Sequence, residues 1–407
     1  MVEIHAFRAI RPDDALADKI ATLPYDVLSS AEARELAADN AQSFLHIDKS
    51  EVDLPADGDV HSDAVYAQAD KNLQDFISKG WLKKDGQPQL YLYELTRGGR
   101  VQTGLVATTT VADYENGAIK RHEYTLPEKE EDRIRHFDAT RSNTSPIFLT
   151  YRAEAAAEKL IENWKPTHNA TVDFTSFYDV RHRVFVIDDE AVIQQLTEIF
   201  VSVPALYIAD GHHRAASAVK VAKKWRDEGR ATTESERFLS VIFPDTSLEI
   251  LDYNRVVTAA LPENFWEKVA EKFEIEKVAN GKTEQVHDIR ALTADGWVKL
   301  TPKNGILSAD EVASLDVALL QTHILAPLLG IFDPKTSPDI EFVGGIRGID
   351  ALEAAVADGA SIAFALYPPT LEALLSVADA GKIMPPKSTW FEPKLLSGLF
   401  LHDLEDD

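Results

Sequence analysis

Val203-Pro204-Ala205-Leu206-Tyr207-Ile208-Ala209 runs without a charge into Asp210-Gly211-His212-His213-Arg214, and the reading of this join decides the fold. The apolar run predicts a short buried strand, with its proline near the start, where a missing backbone donor is tolerated. Ala215, Ala216, Ser217, Ala218, Val219, Val221, Ala222 and Trp225 then predict a helix whose small residues let it pack close beneath that strand. Asp210 is the expected N-cap, and Gly211 permits a tight turn with the backbone near a ligand. A helix N-terminus carries roughly half a positive charge, so Arg214 in the first turn is unfavourable unless an anion is held there. His212 and His213 add ring N–H donors of the kind phosphate oxygens use. Taken singly, the histidines read as caps of a buried helix and Arg214 as the partner of a carboxylate; together, the five residues read as a phosphate cradle. A metal site is disfavoured, because adjacent helical residues point about 100° apart, whereas helical ligand pairs sit three or four residues apart.

Strand and helix signals alternate along the whole chain, which predicts a mixed α/β fold. Ile4 to Ala9 reads as a strand, Ser29 with Glu32 as a capping box, and Val65, Leu73, Phe76 and Ile77 as one face of a helix ending at Gly80. Leu90 to Thr96 and Val101 to Val111 flank Gly98-Gly99 as a β-hairpin. Pro127 opens a charged helix to Arg141, with the strand Pro146 to Tyr151 beyond it. Further strands are expected at Val184–Ile187, Phe238–Phe243, Val298–Leu300 and Ile362–Leu366, with helices at Val317–Leu325 and Leu371–Ala380. Met384 to Lys394 reads as a rigid polar loop with few apolar anchors. The expected division is 1–245 for a nucleotide-binding and catalytic region and 246–407 for a C-terminal α/β region, or else one intertwined domain.

With 407 residues and a net charge of -25, the chain is globular and repels phosphate backbones and anionic membranes, so neither nucleic acid nor membrane is an expected partner. It has no cysteine, which excludes disulfides and thiolate chemistry. No stretch reads as a signal peptide or a membrane span, and the expected address is the cytoplasm.

Arg121-His122-Glu123 and Arg141-Ser142-Asn143-Thr144-Ser145-Pro146 concentrate titratable and hydroxyl groups at element ends, where sites are commonly built. Phosphoryl transfer needs cations on the moving group and a carboxylate for the attacking hydroxyl, which makes Glu123 a candidate base. Glu130, Glu131 and Asp132 read instead as a solvated helix face that stabilises its N-terminal end. Tyr25-Asp26 offers a second carboxylate at a strand end, and Lys387 with Ser388 a possible anion contact. No Gly-x-x-x-x-Gly-Lys-Ser/Thr or Gly-x-Gly-x-x-Gly loop is present.

Leu23-Pro24-Tyr25-Asp26-Val27-Leu28-Ser29, Arg121-His122-Glu123, Asp132-Arg133, Ala139 to Phe148, Ala209 to Arg214 and Met384 to Thr389 resemble, in order, the signature blocks of the domain of unknown function 1015 family. Its Asp-Gly-His-His-Arg block is similar to the nucleotide-binding motif of the ParB/sulfiredoxin superfamily, which includes kinases of free L-serine. The resemblance implies a ParB/sulfiredoxin-like nucleotide-binding core with additional α/β elements. It also implies a nucleotide at Asp210, Gly211, His212, His213 and Arg214, and transfer of phosphate from ADP or ATP, with Mg2+, to the hydroxyl of a free amino acid, L-serine first. Glu123 or Asp26, with His122, would then be catalytic, and Arg121, Arg141, Ser145 and Lys387 would hold the substrate. Where the sulfiredoxin motif reads Gly-Cys-His-Arg, this chain has His212 in place of the cysteine, which excludes sulfinic-acid reduction. A nucleotide-sensing binding protein without turnover and a ParB-type DNA-linked module are the rivals, the second disfavoured by the missing basic stripe. Phosphate donor, acceptor, metal ligands and oligomeric state stay open at this level.

Overall fold

A computed structural model describes residues 1–406. The chain divides into two compact units: Met1–Lys120, Thr125–Leu248 and Pro393–Asp407 form the first, and Arg121–Tyr124 with Glu249–Glu392 the second. The chain therefore crosses at Leu248, and the segment from Pro393 belongs with the first unit.

The first unit is built on a nine-stranded mixed sheet. Its hairpin, Leu90–Arg97 and Arg100–Thr110, turns at Gly98 and Gly99 with φ of 56° and 83°. Both central residues thus lie in the left-handed region, as the tight hairpin turn that matches strand twist requires. Arg100–Thr110 pairs with Arg237–Pro244, which runs parallel to Ile147–Tyr151. Ile147–Tyr151 in turn pairs antiparallel with Leu206–Asp210. These central strands carry apolar residues on both faces: helices pack on one, and on the other Tyr91 and Tyr93 meet the non-helical Phe7 and Phe400. Leu149, Ile208, Ile242, Phe137, Ala215, Ala222 and Trp225 belong to one buried core.

The helix Pro127–Thr140 packs against the helix His212–Asp227. Small Ala215, Ala218 and Ala222 are buried on the latter, as their size predicts. Polar contacts reinforce the pair: Ser217 Oγ donates to the Glu130 carbonyl at 3.1 Å, and Trp225 Nε1 donates to Asp138 at 2.7 Å. The solvated-face reading of Glu130 to Asp132 is accordingly corrected for two of the three. Glu130 is buried and pairs with Lys220, and Asp132 faces inward, because tertiary packing puts a second helix where the local pattern suggests water.

The second unit contains a six-stranded sheet, in the order Phe273–Lys277, Gly296–Pro302, Ile289–Thr293, Ile362–Ala365, Tyr253–Val257 and Ile340–Gly344. Every pair in it is antiparallel. Val257, Phe265, Leu300, Leu320, Ile324 and Phe364 form its main core. The expected helix Val317–Leu325 is split into Asp316–Leu320 and a π-turn at Gln321–Leu325. The expected polar loop Met384 to Lys394 is also corrected: Met384 and Phe391 are buried, and Trp390–Glu392 is a strand paired with Glu249–Leu251. A short strand that borrows its partner from distant sequence leaves no local period to read. Among the described residues, no helix is long and apolar enough to cross a membrane.

Candidate functional site

The join at Asp210 departs from the expected geometry in an informative way. The strand ends in an irregularity, its register against Ile147–Tyr151 shifting between Ile208 and Asp210. Such bulges re-aim side chains beside sites. Asp210 is the last strand residue and not the N-cap; Gly211 takes that position, with φ of 90° and ψ of 31°. A Cβ at Gly211 would lie 3.0 Å from Arg214 Nε, so the glycine is needed both for its backbone angle and for the guanidinium folded over it. The first intrahelical bond runs from Ala215 N–H to the Gly211 carbonyl at 2.9 Å. The N–H groups ahead of it therefore point out of the helix end, and no acidic side chain stands in that turn.

Arg214 is buried, and the helix start is not the uncompensated positive charge expected. Nη2 donates to Asp210 at 3.2 Å and Nη1 to the Pro146 carbonyl. Burial pulls its pKa down, but Asp210, then Asp26, Tyr25 and Asp48, outweigh this and raise it. Two buried polar atoms have no hydrogen-bond partner among the described residues: Arg214 Nε, and the hydroxyl of Ser145, which precedes Pro146 in sequence. His213 Nε2 accepts from the Leu126 N–H at 3.0 Å. The ring is therefore unprotonated at Nε2, consistent with a neutral tautomer that carries its proton on Nδ1. Lys394 Nζ stands 3.6 Å from Asp210.

Also in the first unit, a pocket of about 360 Å³ is lined by Tyr25, Asp26, Asp48, Asp132, Arg133 and His136, among others. Arg133 anchors it. Its Nε donates to Asp132 at 2.8 Å, its Nη1 to Asp48 at 3.1 Å, and its guanidinium lies 3.9 Å from the centre of the Tyr25 ring. Asp48 also accepts from Ser397 Oγ at 2.9 Å, and His136 Nε2 meets Thr144 Oγ1 at 3.1 Å. Burial pushes the Asp48 carboxyl upward, with Arg133 and Ser397 opposing. Burial, then the Arg133 charge, depresses His136 well below its usual range, so it is neutral. Asp26, like Glu128 in the same lining, is exposed, and neither has a hydrogen bond or ion pair among the described residues. Asp48 and His136 escaped sequence reading, and Arg133 entered it only as part of the Asp132-Arg133 block. The available signal was Asp132, Arg133 and His136 at i, i+1 and i+4, which puts Asp132 and His136 on one helix face.

Asp132 carries a testable pH dependence. Burial raises its pKa, but the charge and hydrogen bond of Arg133 outweigh this and hold it at about 2. Because the folded value is depressed, the stabilisation is complete above the unfolded value of about 3.9 and is lost as pH falls toward 2. Acid titration followed by circular dichroism should show a shallower acid limb in Asp132→Asn; an unchanged limb would remove Asp132 from the acid transition.

Arg141 is the C-cap of the helix Pro127–Thr140, with φ of 52°. It pairs with Asp70 at 2.7 Å and Glu405 at 3.4 Å. Its charge is thus spent on tying helices and the C-terminal segment together, and it does not line the pocket above. Arg121, His122, Glu123 and Lys387 belong to the second unit. There His122 is buried and its carbonyl accepts from the Met384 N–H at 2.8 Å. Lys387 has φ of 56° and places Nζ 5.7 Å from the Tyr253 ring centre. Among the described residues, no group of three or more His, Asp and Glu could by itself hold a metal ion.

Fold and site together define a mixed α/β protein whose larger sheet delivers a bulged strand, through glycine, to the start of a basic helix. Residues 4–318 match the family described as "Protein of unknown function (DUF1015)", and the chain belongs to that family. No curated protein matches it. Among solved structures it is similar to a free serine kinase in complex with AMP, at 14% identity and a TM-score of 0.39, over 74% of this chain and 91% of that one. It is likewise similar to a variant of a free serine kinase in complex with ADP, at 14% identity and a TM-score of 0.40, over 75% of this chain and 92% of that one. A conserved hypothetical protein from Pyrococcus furiosus is similar at 14% identity and a TM-score of 0.38, over 74% of this chain and 97% of that one.

Proposed function

We propose that the first unit binds a nucleoside di- or triphosphate at Asp210 to Arg214 and transfers its terminal phosphoryl group to the hydroxyl of a free amino acid, L-serine first. The observation that carries this reading is the strand–Gly211–helix join, with a buried guanidinium, two unpartnered buried polar atoms and no carboxylate in the first helical turn. Backbone N–H groups at such a helix start suit phosphate oxygens. Burial lowers the pKa of Arg214, and Asp210, then Asp26, raise it, so the Asp26 charge acts on the guanidinium at the helix start. In the transfer, the acceptor oxygen forms a bond to the terminal phosphorus and the bond to the bridging oxygen breaks. The hydroxyl proton passes to the base, and the shortened nucleotide leaves. Asp26 is the proposed base in this unit, with Ser145 as its proposed supporting contact; roles for Glu123, His122, Arg121 and Lys387, which belong to the second unit, and for Arg141, which is paired with Asp70 and Glu405, are the competing proposal. Mg2+, when bound, would neutralise phosphate charge, taking one or two carboxylates together with phosphate oxygens and water. Serine as acceptor rests on the family resemblance.

The decisive experiment incubates the purified protein with ATP or ADP, Mg2+ and a pool of amino acids and reads the products by mass spectrometry. A phosphorylated amino acid is expected; nucleotide binding without any product would instead support a sensor. Removing a charge-assisted contact costs about 1.5–3 kcal/mol, so Arg214→Ala should weaken nucleotide affinity about tenfold to a hundredfold by calorimetry. The same variant should also melt earlier, because Asp210 and the Pro146 carbonyl lose their buried donor. Unchanged affinity in the folded variant would sink the cradle.

A further inference from the structure

Tyr25 is held at its backbone and at the face of its ring, but not at its hydroxyl. It opens the short turn Tyr25–Val27 behind Pro24. Just ahead of it, Thr22 and Ser397 exchange backbone hydrogen bonds of 3.1 and 2.9 Å, which fixes the chain there. The Arg133 guanidinium lies 3.9 Å from the ring centre, and Asp48 and Asp132 hold that guanidinium in turn. The side chain is buried, yet its hydroxyl has no hydrogen-bond partner among the described residues. It lines the pocket of about 360 Å³ together with Asp26. The other hydroxyls of that lining are already committed: Ser30 donates to Glu51, Ser50 to the Val65 carbonyl and Tyr66 to Asp132. A nearly buried hydroxyl without a partner is costly unless something in the pocket bonds to it.

Burial, then the Asp26 charge, pushes the Tyr25 phenol above its usual range, with Arg133 and Arg214 opposing. The phenol therefore keeps its proton at neutral pH and is able to donate. A hydroxyl that is being phosphorylated has one proton to give up and two lone pairs. With its proton directed to Asp26 and one lone pair attacking phosphorus, the other is left to accept from a donor, and such a bond strengthens as charge develops on the oxygen. We propose that the Tyr25 hydroxyl is a further catalytic group, which donates a hydrogen bond to the acceptor oxygen and aims its attack while Asp26 takes the proton. The assignment rests on the phosphoryl-transfer reading and on Asp26 as the base. In this step the bond from the acceptor oxygen to phosphorus forms, the bond to the bridging oxygen breaks, the proton ends on Asp26, and Tyr25 keeps its own.

The test is Tyr25→Phe in the full chain, assayed for transfer with ATP or ADP, Mg2+ and L-serine, and titrated calorimetrically with L-serine and with L-alanine, which lacks the hydroxyl. The variant keeps the ring over Arg133, so its melting midpoint and nucleotide affinity should match the wild type. Its kcat should fall about tenfold to a hundredfold, the range for a lost hydrogen bond to a group that becomes charged. Wild type should bind L-serine more tightly than L-alanine, and the variant should lose most of that preference, which a merely structural ring would leave intact. Unchanged kcat in the variant beside an active wild type would overturn the role of Tyr25 alone, whereas an inactive wild type would overturn it together with the transfer reading. A fall in kcat with the preference for L-serine intact would put the hydroxyl away from the acceptor, and early melting would mean that it bonds within the fold; either result also overturns the proposal.

Discussion

Asp26→Asn is expected to lower phosphoryl transfer by about 10²–10⁴-fold, the range for loss of a positioned general base, while nucleotide affinity holds. The substitution keeps the shape of the side chain and removes its capacity to take a proton. It should cost little stability, because Asp26 is exposed and has no ion pair among the described residues. Its neighbours Asp48 and Asp132 are already bound to Arg133, which leaves Asp26, and Glu128 in the same lining, as the pocket carboxylates ready to accept. Glu123→Gln is the paired measurement. If Glu123→Gln abolishes turnover and Asp26→Asn does not, the base lies on the second unit and the assignment is reversed; if no transfer is detectable in the wild type, both assignments fall with the kinase reading.

Arg133→Met should be the most destabilising single change in the pocket, by about 3–5 kcal/mol, because it leaves buried carboxylates without their counter-charge. Asp48 has no exposed side-chain surface, so it cannot recover water when its partner is removed. The loss is measurable by urea denaturation at neutral pH. Adding Asp48→Asn to Arg133→Met should recover part of it, since the orphaned charge is then gone, and the double-mutant cycle gives the coupling. A cost below about 1 kcal/mol would mean that water reaches the cluster and that Arg133 is not its anchor.

What the sequence by itself determined is local. Alternating apolar runs and helix periods marked most central strands and helices; Gly98-Gly99 marked the hairpin; Ser29 and Glu32 formed the capping box they imply; Pro127 opened its helix. Each of these depends on residues a few positions apart, where backbone angles and nearest hydrogen bonds decide. Tertiary structure decided who neutralises whom. Arg214 found Asp210 and the Pro146 carbonyl, Arg141 was spent on Asp70 and Glu405, and Arg133 gathered Asp48, Tyr25 and Asp132 into one pocket. The strand at Trp390–Glu392 likewise exists because Glu249–Leu251 lies beside it. A charge or a short strand has many possible partners along a chain with so many carboxylates, and nothing in local spacing ranks them. Only the packing of distant elements brings one partner within a few ångströms and removes the water that would otherwise screen the rest.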